Sequence, residues 1–360
     1  MVDAHARRQR DVRARLAAEQ LDGLVVTHLP NVRYLTGFTG SAAVLIVLAA
    51  ETVLVTDFRY EVQAPQEVGN AARVDVTAST WKRVAELVQR ARARVLGLEA
   101  ETMTVATAER LAGAVGGSDV RSTRGLVEAL RVQKDPAEVD AIRRAAALGQ
   151  QALATALGAV RAGATERQVA AALEAELRRR GSEWHPFPTI VASGPRSALP
   201  HARTGDRVIA AGDLVLLDFG VQVDGYCADL TRTVVVGRAD DRQRVMYDLV
   251  RDAHRRAVSG LRAGLTGREA DALARTVIEA RGFGDAFGHS LGHGLGLEVH
   301  EGPRLSRTNE DALPAGAVVT VEPGVYFPGW GGIRLEDDVH LTPTGAQLLS
   351  DGDTELRELT

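Results

Sequence analysis

The stretch DLVLLDFGVQVDGYCADLTRTVVV, residues 213–236, predicts a β-hairpin with acids on one face. Two apolar strands flank Asp224-Gly225, a pair that is typical of a two-residue hairpin turn. With that turn, Asp218 lies opposite Thr231, and Asp229 is its diagonal neighbour on the same face. A register shifted by one pair would instead place Asp218 directly opposite Asp229. In both registers the hairpin brings two carboxylates together.

A second pair of acids follows further along the chain. The apolar segments VVTVE (318–322) and IRLE (333–336) end in Glu322 and Glu336, on either side of the Gly- and Pro-rich connection PGVYFPGWGG. Gly329 is the midpoint between the two glutamates. An antiparallel return centred on this residue would therefore bring them side by side.

These four acids and one histidine, in the segment SLGHGLG, form an oxygen-rich set of potential metal ligands. The five residues are Asp218, Asp229, His293, Glu322 and Glu336. Four carboxylates that converge on one point would repel each other unless divalent cations neutralised them. The sequence therefore predicts a site for two metal ions and metal-assisted hydrolysis.

Composition narrows the class of protein. The chain has 360 residues, 45% of them hydrophobic and 25% charged, and a formal net charge of -4. This balance is typical of globular proteins and favours neither a nucleic acid nor an anionic membrane as a partner. No apolar stretch of about twenty residues predicts a transmembrane helix. A single cysteine excludes a disulfide framework, and the N-terminus lacks the apolar region of a signal peptide, so we expect a cytoplasmic protein.

The chain is long enough for two domains. Residues 5–125 alternate helical and strand patterns, which predicts an α/β domain without evident catalytic chemistry. We place the domains at residues 1–127 and 128–360. Just after this boundary, Asp135 can cap a long Ala-rich helix that begins at Pro136.

The second domain contains an internal repeat. VRAGATERQVAAALEAELRRRG (160–181) aligns with LRAGLTGREADALARTVIEARG (261–282) at a shift of 101 residues. Both segments predict a helix that begins after a threonine cap and ends at glycine. Duplication explains the identities better than convergent helix punctuation. Two related halves would place a site on the axis between them, where the hairpins meet.

The order of these residues and the surrounding motifs resembles the proline-directed metallopeptidases of the pita-bread fold. This family includes Xaa-Pro aminopeptidases and Xaa-Pro dipeptidases (prolidases). VASGPRSALPHA, LLDFG, DLTRT, GHGLG, HEGP, EPGVY and GIRLED resemble motifs of its catalytic domain, in order, and NVRYLTGFTGS and TDFRY resemble its N-terminal domain. The resemblance covers nearly the whole chain. It implies an α+β pita-bread catalytic domain with a pseudo-twofold internal repeat, plus a smaller α/β N-terminal domain.

The resemblance also implies a role for each site residue. The implied metal ligands are Asp218, Asp229, His293, Glu322 and Glu336. Asp229 and Glu336 would be shared between the two ions, and Glu322 would also act as the general base. The implied substrate-binding residues, which would stabilise the tetrahedral intermediate, are His201, His289 and His300. Arg334 matches an arginine near the substrate and the metal shell, although it could equally serve only to neutralise the acids.

The activity that this resemblance implies is hydrolysis of the bond before proline by a metal-bridging hydroxide. A site dominated by carboxylates suits Mn²⁺, and Co²⁺ or Zn²⁺ would also fit. The segments GFTGS and TDFRY favour a Xaa-Pro aminopeptidase, and a Xaa-Pro dipeptidase is the alternative. A catalytically inactive peptide-binding relative is a third possibility, against which the complete ligand set argues. We expect a proline-containing peptide as substrate and, by resemblance, a homo-oligomer, most simply a dimer.

Overall fold

The computed structural model describes residues 4–350 and 352–360. The chain divides into two compact units, Met1–Arg131 and Val132–Thr360. The predicted domain boundary between residues 127 and 128 stays a prediction. None of the helices in the described ranges is long and apolar enough to cross a membrane.

The first unit is an α/β domain built on one six-stranded sheet. Its helices are α1 (Ala4–Ala18), α2 (Leu29–Thr36), α3 (Gln63–Val68), α4 (Thr80–Ala91), α5 (Val105–Ala114) and α6 (Glu128–Arg131). Its strands are β1 (Gly23–Val26), β2 (Ala43–Leu48), β3 (Thr52–Thr56), β4 (Arg73–Val76), β5 (Val95–Glu99) and β6 (Asp119–Thr123). The strand order is β4-β3-β2-β1-β5-β6, with β2 antiparallel to both of its neighbours. Short Val/Ile/Leu runs form its buried central strands, as expected for a sheet covered on both faces.

The second unit combines long helices with antiparallel strands. Its helices are α7 (Pro136–Ala156), α8 (Glu166–Arg180), α9 (Asp241–Gly260) and α10 (Gly267–Ala280). Its strands are β7 (Ile190–Ser193), β8 (Leu214–Val223), β9 (Tyr226–Val236), β10 (Gly292–Gly294), β11 (Glu301–Leu305), β12 (Val318–Val321), β13 (Gly324–Phe327), β14 (Gly331–Arg334), β15 (Asp337–Thr342), β16 (Gly345–Leu348) and β17 (Glu358–Leu359). They form sheets ordered β17-β9-β8-β7, β11-β10-β12-β15-β16 and β13-β14. The α+β class predicted for the catalytic domain is confirmed.

The hairpin of β8 and β9 has the first of the two predicted registers. Asp218 pairs with Thr231, and Gly220 pairs with Asp229, so the two aspartates are diagonal neighbours. Asp224 and Gly225 form the turn with φ angles of 50° and 78°. Positive φ at both central residues matches the right-handed twist of the strands and fixes this register.

The segment that carries the two glutamates also folds back as predicted. Gly324 pairs with Arg334 in the two-stranded sheet, and Val321 pairs with Asp337 in the five-stranded sheet. Both pairs are centred on Gly329. Glu322 and Glu336 occupy equivalent positions in this return, at the point where the chain passes from one sheet to the other.

The predicted repeat is visible first in the caps of its helices. Residues 160–181 and 261–282 contain α8 and α10, whose N-caps are Thr165 and Thr266. Both threonines form a complete capping box with the side chain three residues later.

The loops before these helices repeat a second pattern. The backbone N–H of Gly163 donates to Ile209 O at 2.9 Å, and that of Gly264 donates to Leu313 O at the same distance. Because both the caps and the supporting contacts recur, the pseudo-twofold repeat predicted for this domain is confirmed.

Candidate active site

One cavity of the second unit, with a volume of about 730 Å³, is lined by all the predicted site residues. Those residues are His201, Asp218, Asp229, His289, His293, His300, Glu322, Arg334 and Glu336. They come from both halves of the repeat. The volume lies in the range of small-molecule binding sites.

The four acids form a carboxylate cluster (Asp218, Asp229, Glu322 and Glu336) at the wall of this cavity. One carboxylate oxygen from each of Asp218, Asp229 and Glu336 lies within 4.8 Å of the other two. Burial, followed by the charges of Glu336 and Asp218, raises the pKa of Asp229 well above its usual range. Burial and Asp218 likewise raise the pKa of Glu336 to about 8. The cluster is thus destabilised when all its members are ionised without cations.

His293 faces this cluster from β10. Its Nδ1 lies 3.1 Å from Gly294 O, an acceptor, so this nitrogen carries the proton. Its Nε2 lies 3.8 Å from Asp229 Oδ2 and 3.5 Å from Glu322 Oε1. Burial, with the nearby His300, lowers the pKa of His293 to about 4. At neutral pH the ring is therefore uncharged, with the lone pair of Nε2 directed towards the acids.

Arg334 lies behind the cluster and is 3% exposed. Its Nη2 donates to Asp218 Oδ2, its Nε donates to Thr231 Oγ1 at 3.1 Å, and its Nη1 donates to the Tyr326 hydroxyl at 2.8 Å. Of the two roles considered for this arginine, neutralisation of an acid is directly visible.

His289 uses both ring nitrogens within the protein. Its Nδ1 donates to Ser290 O at 2.8 Å, and its Nε2 accepts from the Tyr326 hydroxyl at 2.9 Å. Burial, followed by the charge of Arg334, lowers the pKa of His289 to about 4. Tyr326 therefore links Arg334 to His289. We did not single it out from the sequence, although it lies in the quoted motif EPGVY.

His201 and His300 differ from His289 because both are exposed to the cavity. Neither ring forms a hydrogen bond with any residue that the structure describes. The ring of His300 packs against that of His293 with centroids 4.4 Å apart. These two imidazoles are free to contact a molecule in the cavity.

Three further side chains support the cluster and were missed from the sequence. The Thr231 hydroxyl donates to Glu336 Oε2 at 2.5 Å. The Thr320 hydroxyl accepts from the backbone N–H of His293 at 3.1 Å. Asp338, which is fully buried, accepts from the Asp229 N–H at 3.2 Å. Thr231 lies within the quoted motif DLTRT and Asp338 directly follows the quoted motif GIRLED, which was the available signal.

Comparison with known proteins identifies the family of this chain. Residues 140–343 match the model of metallopeptidase family M24, and residues 8–133 match that of the creatinase/prolidase N-terminal domain. The Xaa-Pro dipeptidase of Pyrococcus horikoshii is 34% identical over 93% of this chain and 94% of its own.

Two solved structures are similar over nearly their whole length. A Xaa-Pro dipeptidase from Bacillus anthracis has a TM-score of 0.96 and 38% identity, covering 99% of this chain and 100% of that chain. The X-Pro aminopeptidase of Thermotoga maritima has a TM-score of 0.90 and 36% identity, covering 94% and 98%. The resemblance predicted from the motifs is confirmed, and the chain belongs to metallopeptidase family M24, as an enzyme with the N-terminal domain of creatinases and prolidases.

Proposed function

We propose that this enzyme is a Xaa-Pro aminopeptidase that releases the first residue of peptides with proline in second position. The observation that carries this proposal is the convergence of nine predicted residues on one cavity. Relatives described as acting on Xaa-Pro bonds support the choice of scissile bond.

The donor set fits two divalent cations. Oδ1 of Asp229 is buried and has no hydrogen-bond partner among the described residues. A buried carboxylate oxygen without a donor is costly, and a cation would satisfy it. The raised pKa values of Asp229 and Glu336 have the same explanation, because positive charge would offset their mutual repulsion.

We propose two overlapping ligand groups. Asp218, Asp229 and Glu336 would hold one ion, and His293, Glu322 and Glu336 would hold the other. The carboxylate majority favours Mn²⁺, with Co²⁺ or Zn²⁺ as alternatives. When bound, such ions would polarise the carbonyl before proline and would lower the pKa of a water molecule towards neutral pH.

The remaining site residues would bind and orient the peptide. Burial and Glu336 raise the pKa of Glu322, which suits this carboxyl to accept and return a proton during the reaction. His201 and His300 would donate hydrogen bonds to the substrate carbonyl as negative charge develops on its oxygen. Phe187 and Ile190 line the same cavity and offer apolar contact for the proline ring.

A Xaa-Pro dipeptidase is the second candidate, and two arginines of the cavity wall favour it. Arg203 and Arg304 both line the cavity and are exposed. Neither forms an ion pair with a residue in the described ranges. A guanidinium binds a carboxylate in a fork geometry, so either could hold the free carboxyl end of a dipeptide.

Substrate length separates the two activities. The experiment compares hydrolysis of Ala-Pro, Ala-Pro-Ala and Ala-Pro-amide by the Mn²⁺-loaded enzyme, with Asp218→Ala as control. Cleavage of the tripeptide with little cleavage of Ala-Pro supports the aminopeptidase. Cleavage of Ala-Pro, with little cleavage of the tripeptide and none of Ala-Pro-amide, makes the enzyme a dipeptidase. If the wild-type enzyme cleaves none of the three substrates, both proposals are refuted.

We also propose that the functional form is a homodimer, as the resemblance to this family implies. Light scattering coupled to size-exclusion chromatography measures the mass directly, and a mass of 38.4 kDa, that of one chain, would contradict the proposal.

A further inference from the structure

A buried ion pair lies on α10, outside the set of residues that line the cavity. Arg275 Nε donates to Asp271 Oδ2 at 2.5 Å, and its Nη2 donates to Asp271 Oδ1 at 2.9 Å. The two side chains are 7% and 2% exposed. They are four residues apart on the helix, so their geometry is set by the helix itself.

The pair also binds the backbone of the segment that leads into β10. Arg275 Nη1 donates to Phe287 O at 2.8 Å, and Nη2 donates to His289 O at 2.7 Å. Asp271 Oδ1 accepts the N–H of Leu291 at 2.9 Å. The guanidinium and carboxylate thus hold three backbone groups within five consecutive residues.

This segment carries His289 and connects it to His293. The carbonyl of Ser290, which accepts the Nδ1 proton of His289, lies between two backbone groups held by the ion pair. The guanidinium also lies 4.1 Å from the centroid of the Phe287 ring, which contacts the His289 ring edge-on at 5.0 Å. The pair therefore fixes both the backbone of His289 and one neighbour of its ring.

The first half of the repeat does not contain this pair. At the shift of 101 residues, Asp271 aligns with Ala170 and Arg275 aligns with Glu174. The scaffold contacts are duplicated, but this ion pair occurs only in the half that provides His289 and His293. A buried ion pair is weak evidence for stabilisation, because well-packed apolar residues often serve as well.

We infer that Asp271 and Arg275 are positioning residues for the histidine segment. They set the Nδ1–H tautomer of His289 and the entry of the chain into the strand that bears His293. This inference rests on the proposed function, since it assigns the pair to the same reaction. Neither side chain needs to touch the substrate.

The test uses the full-length enzyme with Arg275→Lys. Lysine keeps the cation beside Asp271 but cannot reach two carbonyls and both carboxylate oxygens at once. We expect kcat for the preferred Xaa-Pro substrate to fall at least tenfold, with KM changed less than threefold. We also expect nitrogen-15 spectra of the metal-free protein, with His289 assigned through His289→Gln, to show loss of its single Nδ1–H tautomer.

Val250→Ala is the matched control for lost stability. Val250 is fully buried on α9 in the same hydrophobic core. The substitution Val250→Ala should lower Tm, leave kcat within about twofold of wild type and leave the tautomer of His289 unchanged. If Arg275→Lys lowers Tm but leaves kcat and the tautomer as in the wild type, the pair is only structural and the inference is wrong.

The exchanged pair Asp271→Arg with Arg275→Asp provides a second arm. It retains opposite charges at the two positions, but the aspartate at position 275 cannot donate to the carbonyls of Phe287 and His289. Failure to restore the wild-type tautomer supports positioning, and restoration overturns it. An inactive wild-type enzyme would refute the proposed function. The tautomer of His289 could still be determined in that case, because the spectra do not depend on turnover.

Discussion

The hydrogen bond from Thr231 to Glu336 provides a sharp test of how the carboxylate cluster is held. Thr231→Val removes the hydroxyl while nearly conserving side-chain shape. The donor to Glu336 Oε2 at 2.5 Å is lost, and so is the acceptor for Arg334 Nε at 3.1 Å. We expect the variant to fold and to bind divalent cations more weakly.

The expected magnitude follows from the charge on Glu336. A hydrogen bond to a charged group contributes about 1.5–3 kcal/mol. At about 1.4 kcal/mol for each factor of ten, this corresponds to about tenfold to hundredfold weaker binding of Mn²⁺. The same range is typical when a side chain that orients a metal ligand is lost. The unpaired Nε of Arg334 should also lower the free energy of unfolding by about 1–3 kcal/mol.

The assay is competition for Mn²⁺ with a chelator of known affinity, at fixed pH. Thr233→Val is the matched control, since Thr233 lies on the same strand and is also buried. Among the described residues, its hydroxyl forms hydrogen bonds only with the backbone of Arg334, donating to O at 3.0 Å and accepting from N at 3.2 Å. Wild-type affinity in Thr231→Val, or an equal loss in Thr233→Val, would refute the reasoning.

Three further predictions concern pH, the active-site tyrosine and a buried ion pair. Burial and Asp218 raise the pKa of Glu336 to about 8, so the folded, metal-free protein favours its protonated form. This contribution to stability is complete below the unfolded pKa of about 4.3 and is lost as pH rises through about 8. Tm of the metal-free protein should therefore fall between pH 6 and pH 9, and an equally steep fall in Glu336→Gln would contradict the assignment. Tyr326→Phe removes the donor to His289 and should lower kcat about tenfold, the effect of about 1.4 kcal/mol from one lost hydrogen bond; an unchanged kcat would count against it. The buried ion pair is that of Arg232 with Asp337, 2.8 Å apart. Arg232→Met breaks it and should lower the free energy of unfolding, measured in urea, by about 3–5 kcal/mol. Arg167→Met, in an exposed pair, should lower it by less than about 1 kcal/mol, and similar losses would show that burial is not the deciding factor.

The acids of the site could be located from sequence because two local rules fixed their registers. The Asp224-Gly225 turn determined that Asp218 and Asp229 share a face. The symmetry of the return about Gly329 brought the glutamates to equivalent positions. In both cases a short-range pattern decided a contact across adjacent strands.

The supporting residues could not be found in this way because tertiary packing chooses their partners. Thr231 and Tyr326 were inside quoted motifs, but nothing local indicates that they contact Glu336 and His289. Asp271 and Arg275 have the spacing of an ordinary surface helix pair. Only their burial, set by how α10 packs, distinguishes them from such a pair.

The duplicated scaffold of the second unit has a consequence for how the chain assembles. Each half offers the same threonine-capped helix and the same loop contacts, at Gly163 and at Gly264. At high protein concentration, a half that has formed early can therefore pair with the complementary half of another copy in place of its own. We expect refolding from urea at high protein concentration to give exchanged dimers, whereas dilution should favour the intramolecular pairing, in which each chain completes its own carboxylate cluster.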